Sequence, residues 1–299
     1  MQLLEAPVNR RNDPRAQRSI VDHLPPGTTI NRRVLVKNES GRPLKVDLYP
    51  EAATIDHGAF QYGGEQADNE LTSWISLDRR TVELPPQSET RARVTIQVPM
   101  TAPAGERYGV VWAAVATGTD PSASVHKVHR VGVRVYLDIG PGGEPRSDFT
   151  IGDIVPSRDV QGVPSVSIGV RNTGGRALDM TGSVNLSDGP AGMRAGPFQV
   201  ASGTTLAPGQ AGQVLARLPA EISNGPWKIE INLRSGTVTR SVTATISFPD
   251  PGKLGKPGRL SRLTGLWGII GTSLGIGLVV IVGLVLVIRS RGRRDRTGV

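Results

Sequence analysis

The chain has no cysteine among its 299 residues. That absence excludes disulfides, thiolate nucleophiles and Cys-ligated zinc. It does not argue against export, because a domain long enough to bury a proper core has no need of disulfides. Aromatic residues are scarce as well, with four each of Phe, Trp and Tyr. No basic stripe interleaved with stacking rings can be traced, so nucleic acid is not an expected partner. No Gly-rich phosphate loop follows a strand, no paired carboxylates stand out, and the four histidines assemble into no Ser/His/Asp set. His126 and His129 are three apart, which on a strand places them on opposite faces. No metal site, catalytic residue or cofactor is therefore assigned, and the chain reads as a non-enzyme.

The net charge of +9 is concentrated at one end. Residues 251–299 carry nine Lys/Arg and one Asp, which leaves residues 1–250 nearly neutral at +1. Between them the run Leu263–Ile288 contains no charged residue. A helix of that length rises about 39 Å, enough to cross a hydrocarbon core of about 30 Å. The sequence therefore predicts a stalk over 249–262, a transmembrane helix over 263–288 and a basic cytoplasmic tail over 289–299. Gly271 and Gly275 are four apart, as are Gly268 and Thr272, a spacing of small residues that suits close helix packing and a weak dimer. The bilayer is then a partner, and the expected location is the plasma membrane, single-pass, with the folded domains outside. No basic and apolar leader precedes Glu5, so the expectation includes a signal peptide lost upstream of Met1.

Before residue 249 no segment keeps a helical period. Short alternating runs end in Gly, Pro, Asn and Asp turns, as in Ile30–Val36, Leu44–Tyr49, Thr72–Leu77, Arg91–Val98, Tyr108–Ala116 and His129–Ile139. The unalternating run Val110–Val115 predicts a central strand buried on both faces. The second half echoes the first. Val36-Lys37-Asn38 turning through Gly41-Arg42 to Leu44 matches Val170-Arg171-Asn172 turning through Gly175-Arg176 to Leu178. Val82-Glu83-Leu84-Pro85 matches Thr205-Leu206-Ala207-Pro208, and Gly105-Glu106-Arg107-Tyr108 matches Gly225-Pro226-Trp227-Lys228. Three matches in one order predict an all-β chain of two tandem immunoglobulin-like β-sandwiches, residues 1–140 and 146–248, followed by the single C-terminal transmembrane helix.

Within residues 1–140, four pieces carry a family resemblance: Leu24-Pro25-Pro26-Gly27-Thr28, Val36–Ser40, Ala53–Tyr62, and Val98-Pro99-Met100 through Gly105 to Gly109. In order and spacing they resemble the peptidoglycan-binding domain of the WxL-interacting proteins, a Gram-positive cell-surface family. The resemblance implies a surface protein that binds peptidoglycan and partner surface proteins; residues 146–248 are similar to the family's second domain only in kind.

Candidate binding residues are Asp56, His57, Tyr62 and Trp74. Asp56-His57-Gly58, near Tyr62, Asp68 and Asn69, reads either as a polar rim for a glycan or as a hairpin turn with Asp capping amides and Gly at positive φ. Trp74 is the Trp retained as a sugar-stacking candidate, Trp112 and Trp227 reading as core. The resulting expectation is a non-enzymatic, single-pass cell-surface protein that binds or scaffolds envelope components. The alternatives are an extracytoplasmic chaperone-like assembly factor offering a strand edge to surface proteins, and a tail-anchored cytoplasmic adaptor.

Overall fold

Alternation of apolar and polar residues generates strands throughout, and the chain is all-β. The structure, a computed structural model, describes residues 1–64, 66–117 and 127–261. In the first half, one sheet runs Gln2–Leu3, Thr29–Asn38, Ser88–Gln97, Ile75–Leu77. The facing sheet runs Ile20–Leu24, Lys127–Ile139, Gly105–Thr117, Leu44–Asp56, Ala59–Tyr62, with Thr81–Leu84 beside the start of Leu44–Asp56. Val34, Leu48, Ile96, Val111 and Leu137 fill the space between them. Gly105–Thr117 lies between two long partners. Its Val111 faces the inter-sheet core and its Val110 and Trp112 face a separate aromatic cluster with Phe60 and Tyr136. Burial on both faces explains why that run does not alternate.

In the second half, one sheet runs Ala211–Arg217, Pro164–Asn172, Phe149–Arg158, Lys253–Leu254, and the other contains Ala195–Gln199, Thr181–Ser187, Trp227–Ser235 and Val238–Ile246 in that order. Phe149, Ile168, Leu206, Trp227 and Ile231 are among its buried core. Both halves belong to one compact unit, Met1–Arg259. They meet through the outer aromatic face of the first, where Ala177 of the second packs into the cluster of Phe60, Trp112 and Tyr136.

The internal echo has a physical origin. Asn38, buried at a strand end, donates from Nδ2 to the carbonyls of Arg42 (2.8 Å), Leu84 (3.1 Å) and Pro85 (2.9 Å). Its Oδ1 accepts from the Ser40 amide at 3.0 Å. Asn172 repeats the arrangement, donating to Arg176 O (2.8 Å) and Leu206 O (3.0 Å) and accepting from the Gly174 amide (2.9 Å). Each Asn thus closes its own turn and staples it to the Leu-x-Pro segment of the second sequence match. The third match supplies Gly105 (φ 124) and Gly225 (φ 104), each at the entry to a long strand in a conformation that favours glycine. Replacing Asn172 by leucine leaves two buried carbonyls unpaired and is expected to lower unfolding stability by about 2–3 kcal/mol. Urea titration checks this, and an unchanged midpoint would show that the staple carries no stability.

Two segments differ from expectation. Thr72–Leu77 is not one strand, because Glu70–Trp74 is a helical turn before the strand Ile75–Leu77. Asn69 accepts from the Thr72 amide (3.0 Å) and the Thr72 hydroxyl accepts from the Asn69 amide (2.8 Å), a capping box. One turn is too short for periodicity to reveal. Trp74, expected to offer a ring to sugars, is 9 % exposed and packs in the first core with Leu71, its face under the Arg107 guanidinium.

The segment read as an unfolded stalk is laid along Phe149–Arg158. Gly252, Gly255 and Gly258 donate to the carbonyls of Arg158 (3.0 Å), Pro156 (2.8 Å) and Ile154 (2.8 Å). The residues that suggest disorder permit this contact, since a Cβ on Gly255 would sit 2.8 Å from the Pro156 ring. The predicted transmembrane helix over 263–288, with Gly268, Gly271 and Gly275, and the tail beyond it lie outside the described residues. Among the described residues no helix is long and apolar enough to cross a membrane.

A candidate partner-binding edge

Lys127–Ile139 pairs along its whole length with Gly105–Thr117. On its outer side it is matched only at Val135–Ile139, by the parallel strand Ile20–Leu24. Among the described residues, Val128–Arg134 therefore has no ladder partner on that side, and its Val128 and Val131 are each 55 % exposed. Open edges invite pairing with another chain, and folded proteins normally blunt them. Four other strands follow that rule. Ala195–Gln199 carries Pro197. Phe149–Arg158 is covered by Lys253–Leu254. The Val200–Ala216 bridge and the Ala201 amide on Leu215 O cross the outer side of Ala211–Arg217. Thr29–Asn38 is covered at Val34–Leu35 by Gln2–Leu3, and the Leu4 amide donates to Arg33 O.

The open edge leads into a cleft of about 490 Å³ between the two sandwiches, walled by Arg15, Arg18, Arg134 and Arg234 around a lone carboxylate, Asp179. Asp179 is already engaged. It accepts from the Tyr136 hydroxyl (2.9 Å) and the Thr205 hydroxyl (2.8 Å), and pairs with Arg15 at 2.6 Å and Arg134 at 3.4 Å. Burial, and then the negative charge of Asp179, raise the Tyr136 hydroxyl well above the usual phenol range, so it serves as a neutral donor. Arg18 and Arg234 are exposed and have no ion pair among the described residues, which leaves the cleft electropositive.

Deeper in the same interface Arg176, 1 % exposed, donates to Glu106 (2.8 Å) and to Glu144, and Glu106 also accepts from the Ala177 amide (2.6 Å) and the Tyr108 hydroxyl (2.9 Å). Burial, followed by the Glu106 charge, raises Tyr108 as well. The interface is thus fixed by charge-assisted bonds from both halves.

Of the residues singled out from sequence, Asp56, His57 and Tyr62 share one hairpin and Trp74 lies in the core. His57 (φ 49) and Gly58 (φ 75) form the hairpin turn, and Asp56 Oδ1 accepts from the His57 amide at 2.8 Å. The hairpin docks on the second sandwich, with the Thr205 amide donating to Gly58 O (2.8 Å) and an Ala59–Thr204 bridge. Tyr62 is half-exposed, its ring edge-on to Trp112 with centroids 5.1 Å apart. Arg15, Arg134 and Asp179 were not singled out. The strand bearing Arg134 was legible, but its open outer side depends on where Ile20–Leu24 stops, which no local pattern marks.

No family model matches the chain, and no curated protein sequence does. Solved structures with similarity include the CupB2 chaperone of Pseudomonas aeruginosa (12% identity, 78% of this chain and 99% of that one, TM-score 0.38). The E. coli chaperone DraB matches at 11% identity over 82% of this chain and 96% of that one, with TM-score 0.40. The Salmonella enterica SafB chaperone, solved with the SafA pilin, is found at 10% identity, 75% and 93% coverage, and TM-score 0.41. These neighbours are described as chaperones and none as a WxL-interacting protein; with no family model matching, the resemblance drawn from short turn-like pieces of residues 1–140 is withdrawn. Peptidoglycan goes with it as a partner. The bilayer partner, the helix-mediated dimer and the plasma-membrane location are withdrawn too: among the described residues no helix is long and apolar enough to cross a membrane, and residues 263–288, on which those expectations rested, lie outside them.

Proposed function

We propose that the chain is a non-enzymatic, chaperone-like assembly factor that takes a β-strand of a partner protein onto Val128–Arg134. The observation that carries this reading is the contrast between that open edge and the blunted or covered edges elsewhere. Strand addition uses main-chain hydrogen bonds for affinity and alternate side chains for selection. A partner strand running parallel to Lys127–Ile139 brings its C-terminal end to Arg18, Arg134 and Arg234, whose guanidiniums suit a carboxylate. On this reading the first sandwich presents the edge and the second supplies the far wall of the cleft.

A photo-crosslinking residue at Val131 of the full chain, in cells that make it, is expected to give one defined protein adduct. The same residue at exposed Thr245 of the second sandwich is expected to give none. Equal adducts from both positions, or none from Val131, would overturn the proposal.

A further inference from the structure

At Gly132 the open edge carries no side chain of its own, and its neighbours close over the position. This residue is exposed, yet a Cβ added there would lie 2.5 Å from Val110 Cγ1 and 2.6 and 2.9 Å from Trp112 Cε3 and Cζ3. Trp112 is the direct cross-strand neighbour of Gly132, so its indole extends over the glycine toward the unpaired side. The flanking positions on this face are Arg130 and Arg134. Their guanidiniums lean back onto rings of the same sheet, Arg130 4.5 Å from the Trp112 centroid and Arg134 4.5 Å from that of Phe60. Their charges are met by Glu51 at 2.7 Å and Asp179 at 3.4 Å. The result is a position one residue wide where the strand itself carries no side chain, backed by the edge of a largely buried indole and flanked by two cations.

Resting on the strand-addition reading, we infer that the partner strand carries an aromatic side chain directly opposite Gly132. Directly opposed side chains on neighbouring strands lie about 4.5–5.5 Å apart, within reach of the Trp112 ring. An aromatic opposite Gly132 meets the indole edge as an aromatic pair and offers its face to the two guanidiniums. A short aliphatic residue makes none of these contacts. On the opposite face of the edge, Val131 and Val133 call for apolar neighbours.

The test uses the full chain and nine-residue peptides of alternating Thr and Val with a blocked N-terminus and a free C-terminal carboxylate, a single Phe being moved through every position. Affinities come from calorimetry, and the Trp112 indole resonance is followed by NMR. One placement is expected to bind about tenfold more tightly than the all-aliphatic parent. That placement alone should shift the Trp112 indole signal, and Gly132→Val should abolish its advantage while the parent still binds. If Gly132→Val fails to fold, the NMR shift decides. Peptides that bind equally at every placement would overturn the aromatic assignment and leave the edge reading intact. Peptides that do not bind at all would overturn both.

Discussion

Arg176→Met is expected to lower unfolding stability by about 3–5 kcal/mol, the usual loss when one partner of a buried ion pair is removed. Arg176 is 1 % exposed and reaches two carboxylates, Glu106 and Glu144, besides the carbonyls of Asp22 (3.3 Å) and Tyr136 (3.5 Å). Methionine matches much of the volume and none of the donors. Glu106, with 3 % of its side chain exposed, would keep the Ala177 amide and the Tyr108 hydroxyl but lose its cation. A carboxylate desolvated without a cation is the main source of the loss. Adding Glu106→Gln to Arg176→Met should therefore recover part of it, a non-additivity expected of direct partners. Denaturant titration of the two single variants and the double variant makes the cycle. Strictly additive losses would show that the two side chains do not depend on each other.

Arg158→Met should be nearly as damaging, for a different reason. Arg158 is 8 % exposed and has no carboxylate partner among the described residues. Its guanidinium binds acceptors on three loops instead: Pro249 O at 3.2 Å, Gly162 O at 2.6 Å, and Ile222 O and Asn224 Oδ1 at 2.7 and 3.1 Å. Four acceptors lose their donor together, and water entering the exposed rim offsets part of that. The expected loss is about 3 kcal/mol. Arg158→Lys should recover less than half, since a compact ammonium cannot span acceptors that a planar fork reaches. Calorimetric unfolding of both variants tests this, and a loss below about 1 kcal/mol for Arg158→Met would show that water replaces the fork.

The sheets were largely legible in the sequence because alternation and turn residues are local signals. The Asn38 and Asn172 echoes were legible too, since each staple joins residues that recur in fixed order. Legibility failed where a short motif served a distant contact. Asp56-His57-Gly58 is a turn in either environment, and only the position of Thr205 makes it a docking point. Trp74 carries no local mark of burial, because its cover comes from a helical turn specified by Asn69 and Thr72. The glycines at 252, 255 and 258 suit a disordered linker and a close backbone approach equally well. The cleft draws Arg15, Arg134, Asp179 and Arg234 from separated segments, so nothing in the order of residues announces it.

The parallel pairing of Ile20–Leu24 with Val135–Ile139 also sets an order of events during synthesis. The early strand must wait until more than a hundred further residues have been made before its neighbour exists. The first sandwich cannot close until Ile139 has left the ribosome, and the second lacks the cover over Phe149–Arg158 until Gly258 follows. Each half thus emerges with a temporarily bare flank, and any chain stalled between these points would be adhesive at a place the finished protein hides.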